Sequence, residues 1–335
     1  MQSDQTNRRR FITLLGGAAA TWPLAARAQQ EERTRRISLL LGLAEDRPET
    51  RSRVKALQKG LRDLGWVEGR NIKIDYRFAG SDRLLIREYA AELARLAPDV
   101  IVANSTPVLS ALRQATSTIP IVFSVVNDPV GQGFISSPAR PGGNVTGFSF
   151  VEPDLIGKWL AMLNDVVPKL SRASLMFNPA TAPYYDVYVR SFETVPRSIK
   201  TEMTAAPVRE RSEIEASIIK LARDPGNGLI VAGDPFTIDN IKTIAQLTLE
   251  HRIPAISVYQ QFVAEGGLMS YGPDTADIFR RTAGYVDRIL KGAKPADLPL
   301  QAPDRFDLAI NLQTAKTLGI DPPTTLVAIA DEVIE

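Results

Sequence analysis

Val100-Ile101-Val102-Ala103-Asn104-Ser105-Thr106-Pro107 is the phrase from which the rest of the chain can be parsed. Its four leading apolar residues, too few for a helix and closed by turn formers, predict a strand buried on both faces, as in a parallel sheet. A polar residue before proline predicts a helix start: the side-chain oxygen caps an orphan N–H, and proline at the first helical position needs none. The phrase returns four times. Ile121 to Val126 ends at Asp128-Pro129, Ala173 to Phe177 at Asn178-Pro179, Leu229 to Gly233 at Asp234-Pro235, and Leu268 to Tyr271 at Gly272-Pro273. Strand, cap and helix is the expected unit. In open α/β sheets ligands bind beyond the carboxyl ends of the strands, so function is expected at these junctions.

Around these phrases the chain alternates with little filler. Ile37 to Leu41 predicts a strand, and Val54, Leu57, Leu61 and Leu64 fall at helical spacing with Gly65 as the stop. Ile72, Ile74 and Tyr76 alternate as a strand; Ile86, Ala90, Leu93 and Ala97 form the next helical face. The rhythm breaks near Arg140-Pro141-Gly142-Gly143-Asn144, and a strand from Val145 to Phe150 leads into a helix through Trp159, Met162, Leu163 and Val166. Alternation then resumes, with a helix near Tyr188, a strand at Ile199 to Met203, and helices through Ile214, Ile218 and Leu221 and through Ile241, Ile244 and Leu247. A late helix through Ile278, Thr282, Val286 and Ile289 and a strand at Phe306 to Ile310 are placed to cross between halves. The expected fold class is α/β, two Rossmann-like doubly wound lobes. Residues 29–149 with about 272–302 are assigned to one lobe, and 150–271 with about 303–335 to the other.

The first residues speak to compartment. Arg8-Arg9-Arg10-Phe11-Ile12, the short apolar stretch Thr13 to Ala20 and Ala26-Arg27-Ala28 predict a twin-arginine signal, cut after about Ala28, and a periplasmic mature protein. The apolar stretch is well short of the roughly 20 residues that span a bilayer. Of 40 Lys and Arg against 38 Asp and Glu, four arginines and one aspartate lie in residues 1–28, which leaves 36 against 37. The basic balance belongs to the leader. No basic stripe remains to argue for nucleic acid. With no cysteine, disulfides, thiol nucleophiles and thiolate metal sites are excluded.

Longer motifs are similar to a known family. Gly60-Leu61-Arg62-Asp63-Leu64-Gly65-Trp66-Val67-Glu68-Gly69-Arg70-Asn71, Ser117-Thr118-Ile119-Pro120-Ile121-Val122-Phe123, Ala139-Arg140-Pro141-Gly142-Gly143-Asn144-Val145-Thr146-Gly147 and Gly266-Gly267-Leu268-Met269-Ser270-Tyr271-Gly272 resemble bacterial ABC transporter substrate-binding proteins. So does the tail from Tyr285-Val286-Asp287-Arg288-Ile289-Leu290-Lys291-Gly292 through Ile310-Asn311-Leu312. The resemblance implies a type I periplasmic binding protein: two lobes, three crossover strands, a ligand held in the cleft as the lobes close. It further implies tryptophan or another aromatic amino acid as ligand in some members, and a permease and ATPase complex in the inner membrane as partners.

The junctions supply the candidate ligand-binding residues. Ser105 and Thr106 offer hydroxyls and helix-start N–H groups to a ligand carboxylate. Asp128 is placed to accept an ammonium, and Asn178 and Asp234 occupy the matching strand ends of the second half. Tyr184 and Tyr271 are the preferred rings among Phe150, Tyr184, Tyr185, Phe236, Tyr259 and Tyr271 for stacking on a flat solute. Capping and core packing explain the same residues without a ligand. His251 is the only histidine, and there is no G-x-S-x-G elbow; one histidine makes no multi-His metal site. Gly131-Gln132-Gly133 lacks the third glycine of a dinucleotide fingerprint. The chain is expected to be a monomeric solute receptor with no cofactor, no metal and no catalytic step. A sensor for a membrane signalling partner and an exported α/β enzyme are the alternatives.

Overall fold

The structure, a computed structural model, describes residues 34–151, 154–182, 184 and 201–335. The leader, the helix expected near Tyr188 and the ring of Tyr185 lie outside these residues. Alternation of strand and helix builds two sheets. The first half comprises β1 (Arg35–Leu41), α1 (Pro48–Asp63), β2 (Ile72–Phe78), α2 (Arg83–Arg95), β3 (Val100–Asn104), α3 (Thr106–Ala115), β4 (Ile121–Val126) and β5 (Val145–Ser149). Its strands stand in the order β2-β1-β3-β4-β5, every neighbouring pair parallel. β3 and β4 are buried at every position, which is why they read as unbroken apolar runs rather than alternating ones.

The second half continues with α4 (Leu155–Val166), β6 (Arg172–Phe177), β7 (Glu202–Pro207), α5 (Arg211–Ala222), β8 (Asn227–Val231), α6 (Pro235–Asp239), α7 (Ile241–Glu250), β9 (Ala255–Ser257), α8 (Gln261–Ala264) and β10 (Met269–Pro273). It ends with α9 (Thr275–Leu290), β11 (Phe306–Asn311), α10 (Leu312–Leu318), α11 (Thr324–Ala328) and β12 (Glu332–Ile334). The sheet order is β12-β11-β10-β9-β8-β6-β7. All pairs are parallel except β10 with β11, which run antiparallel. β7 takes in Glu202 and Met203 of the strand expected at Ile199 to Met203, whose first two residues lie outside the described ones, and its half-exposed pattern marks it as the sheet edge.

The chain passes between the lobes three times: from β5 to α4, from β10 to α9, and back to β11 after Gln301. The middle passage matters most, because α9 leaves the second sheet to cover the first. It lies along α1, and Ile278, Phe279, Ala283 and Val286 are buried there. The two helices approach so closely that a Cβ on Gly60 would stand 2.7 Å from the carbonyl oxygen of Arg280; only glycine allows this contact. Trp66 Nε1 donates to the Asp287 carboxylate at 2.9 Å, and the hydroxyls of Ser124 in β4 and Thr282 in α9 meet at 2.7 Å.

The residue before proline is itself the side-chain cap of a helix at one of the five junctions. Asp234 caps α6 with a full capping box, accepting from Phe236 N and Thr237 N while Thr237 Oγ1 returns the bond. At Thr106-Pro107 the cap position falls on Ser105, and Thr106 is already helical. At Asp128-Pro129 the carboxylate takes Gly131 N at 2.9 Å and closes a turn with no helix behind it. Asn178 Oδ1 likewise takes Ala180 N at 2.8 Å in a turn. Gly272-Pro273 lies inside β10, where a Cβ on Gly272 would stand 2.1 Å from the Val258 carbonyl oxygen, so the glycine serves strand packing; Asp274 is the cap of α9. Proline thus closes a turn at Asp128 and Asn178, opens a helix at Thr106 and Asp234, and ends the strand at Gly272.

Candidate functional site

A cavity of about 310 Å³ of empty space lies where the carboxyl ends of β1, β3 and β4 face those of β6, β8 and β9. The first lobe contributes Leu43, Arg53, the run Asn104 to Thr106, Val125, Asn127 and, at the crossing, Phe150. From the second come Thr181, Tyr184, Gly233 to Pro235, Ile238 and Tyr259.

Among the described residues, four buried polar atoms on this wall have no hydrogen-bond partner: Arg53 Nε and Nη2, Asn104 Oδ1 and Ser105 Oγ. Arg53 is 2% exposed, Asn104 1% and Ser105 7%. Burial pulls the Arg53 guanidinium below its ordinary pKa. Ser105 also carries strain, with φ +88° and ψ 156°, a region that side chains other than glycine rarely enter. Val125 beside it has φ +61°, unusual for a β-branched residue, where the register of β4 slips against β5. Strain concentrated at one edge of a cavity is a mark of functional sites. The rings of Phe150 and Tyr259 stack with centroids 5.9 Å apart, and Tyr184 Oη donates to the Gly233 carbonyl at 2.7 Å.

Of the residues expected from the sequence, Ser105, Thr106, Tyr184 and Asp234 line this cavity. Thr106 Oγ1 accepts from Asn127 N at 3.4 Å. Asp234 reaches the wall with its oxygens already committed: Oδ1 accepts from Phe236 N, Thr237 N and Thr181 Oγ1, and Oδ2 from Asn178 N. Burial nevertheless pushes its carboxyl up to about 6. Asn178 stands behind the wall, donating from Nδ2 to the Arg209 carbonyl at 3.2 Å. Asp128 and Tyr271 are not brought to the cavity. Tyr271 stacks on Phe306 at 5.6 Å, its hydroxyl bonded by Lys158 Nζ, and its carbonyl accepts from Trp159 Nε1 at 2.7 Å. The sequence singled out neither Arg53 nor Asn127. Arg53 falls at i, i+4, i+8 with Leu57 and Leu61, and that spacing was the available signal for an inward-facing arginine.

Two contacts bridge the lobes beside the cavity. Asn127 Nδ2 donates to the Gly233 carbonyl at 3.4 Å while its Oδ1 accepts from Val151 N at 2.9 Å. Arg47, just ahead of α1, donates from Nη2 to the Asp239 carbonyl at 2.5 Å, with Nε 4.0 Å from the Asp239 carboxylate. These bonds form only when the lobes are together.

Comparison with known proteins agrees with this architecture. A model of the ABC transporter substrate binding protein family matches residues 46–334. A tyrosine-binding protein of Clostridioides difficile (strain R20291) is 28% identical over 266 residues, 79% of this chain and 76% of that protein. A conserved domain protein from Vibrio cholerae superposes with TM-score 0.82 at 26% identity, over 90% of this chain and 100% of its own. A Streptococcus pneumoniae ABC domain in complex with L-Trp superposes with TM-score 0.82 at 23% identity, over the same shares. The ligand-free, open structure of an adhesive substrate-binding protein from Clostridium difficile gives TM-score 0.68 at 25% identity, over 90% of this chain and 99% of that one. The fold is that of the type I periplasmic binding proteins. Proteins of this kind are solute binders rather than enzymes, act outside the cytoplasmic membrane and serve a membrane permease and ATPase. A cavity walled by both lobes, a chain that crosses between them three times and a family match over nearly the whole length converge: this chain is a member of the ABC transporter substrate-binding protein family, the solute-capturing component of an importer.

Proposed function

We propose that the chain, exported by its twin-arginine leader and cleaved after about Ala28, captures a small amino-acid-type solute in the periplasm and presents it to an inner-membrane permease. The observation that carries this is the cavity shared by both lobes, whose wall combines orphaned polar atoms with the rings of Phe150, Tyr184 and Tyr259. The 28% identity to a tyrosine-binding protein supports an aromatic amino acid. Ser105, Thr106 and Tyr184 touch the solute. Asp234 and Asn178 hold the wall in shape, and Asp128 and Tyr271 have other duties. The mechanism is a population shift: a ligand held by both lobes favours the closed form by as much as its contacts differ between the two states. No bond is made or broken.

The test is a thermal-shift panel of L-amino acids, aromatic acids and sugars against the mature protein. A ligand at 100 times its dissociation constant stabilises the native state by about 2.7 kcal/mol, a rise read directly in the melting temperature. A panel in which only sugars act, or in which the bound compound is chemically altered after hours, removes this assignment. The lobe-bridging pair gives a second check. Arg47→Ala takes away bonds made only on closure, so affinity falls by roughly fivefold to tenfold while the melting temperature without ligand barely moves. Equal affinity in the variant would show that the Arg47 contact to Asp239 plays no part in closing.

A further inference from the structure

The cavity is unbalanced in charge. Among the described residues its one cation is Arg53, which is fully enclosed with two guanidinium nitrogens, Nε and Nη2, unpartnered and no carboxylate within salt-bridge distance. The one acid among the described lining residues, Asp234, has both oxygens occupied by four donors from its own lobe. Glu49, one turn earlier on α1, is buried and lines a separate pocket by the hinge; its charge acts on Arg53 through space, without a hydrogen bond or ion pair between the two, and outweighed by the burial of the guanidinium. The atoms left for a ligand are the guanidinium edge on one side and two neutral acceptors, Asn104 Oδ1 and Ser105 Oγ, on the other.

Resting on the solute-capture assignment above, we propose that Arg53 is the anchor of the site and that it selects a carboxylate, with the ligand's ammonium a secondary contact on Asn104 Oδ1 and Ser105 Oγ. Guanidinium remains charged at every physiological pH and presents paired N–H groups that match a carboxylate. Bonds to an ionised partner are roughly twice as strong as neutral ones. The ammonium meets only neutral oxygens. The carboxylate is therefore indispensable and the amine is not, the reverse of a site built around a free aspartate. Thr106 also lines a second, wider groove, formed mainly by the first lobe, that includes the exposed Arg83 and Arg87.

Calorimetric titration distinguishes the two ends of the ligand. For each of L-tyrosine, L-phenylalanine and L-leucine, the amino acid is compared with its primary amide, its decarboxylated amine and its deaminated acid. The amide and the amine of the best binder are expected to lose about 100-fold or more, because they leave a buried charge unpaired; the deaminated acid should stay within about tenfold to thirtyfold. Arg53→Met should remove binding of the acids and erase the difference between acid and amide. Arg53→Lys should keep the preference at lower affinity, since the charge remains but the paired geometry does not. An amide or amine that binds as tightly as its acid overturns the anchor and leaves the receptor assignment standing. Binding by none of the twelve compounds alongside a response to sugars overturns both.

Discussion

Asp234→Ala is expected to cost about 3 kcal/mol of stability, read as a lower midpoint in chemical or thermal unfolding. Losing an aspartate cap costs about 1 kcal/mol, and each buried N–H left without an acceptor costs about 1–3 kcal/mol more. Three such groups, Phe236 N, Thr237 N and Asn178 N, now end on this carboxylate. The loss is partly offset because burial already pushes the carboxyl up to about 6, so an ionised Asp234 is itself under penalty at neutral pH. The sign of the pH effect follows. Held above its ordinary value of 3.8, the group binds its proton more tightly folded than unfolded; its stabilising contribution is complete below about pH 4 and fades as pH rises through about 6. The wild type should lose stability across that window, and the alanine variant should lose this part of the slope. An alanine variant as stable as the wild type, with affinity reduced, would instead make Asp234 a direct ligand contact.

Arg53→Met should do the opposite and raise the stability of the ligand-free protein by about 2 kcal/mol in urea unfolding. A buried ion carries an effective penalty of several kcal/mol unless it is paired and fully hydrogen-bonded, and Arg53 Nε and Nη2 are not. Methionine follows the same unbranched path through the helix interface and brings no charge. The Arg53 guanidinium also lies 6.0 Å from the Phe279 ring of α9, a favourable contact worth up to about 2 kcal/mol when desolvated, which keeps the expected gain modest. A variant clearly less stable than the wild type would mean that the protein already satisfies this charge, and the carboxylate anchor would fall with that result. Stability gained where binding is lost is the pattern expected when a site stores cost for its ligand.

The lobes were legible in the sequence because parallel strands buried on both faces leave unbroken runs, as at Val100 to Ala103 and Leu229 to Val231. The strand-end rule then pointed to Ser105, Thr106 and Asp234, which line the cavity, since topology brings those ends together whatever the side chains do. Asp128 and Tyr271 do not line the cavity, for a backbone reason. Asp128 sits at φ +41°, which turns its carboxylate into its own loop, and β10 pairs antiparallel with β11, so its end belongs to the hinge. Arg53 was hidden by composition: α1 also carries Arg51 and Arg62, and only the face shared with Leu57 and Leu61 separates the inward arginine from the solvated ones. Which of several like charges turns inward depends on α9, an element more than 200 residues further along the chain.

That same late helix bears on how the protein is made. β5 ends at Ser149, but the helix that seals the first sheet is not complete until Leu290. At roughly 5–20 residues per second, the ribosome needs on the order of 7–28 s to supply it. Throughout that interval the α1 surface around Leu57, Gly60 and Leu61 stands bare, so the nascent lobe is an apolar hazard that holding chaperones would have to mask until translation reaches the missing piece.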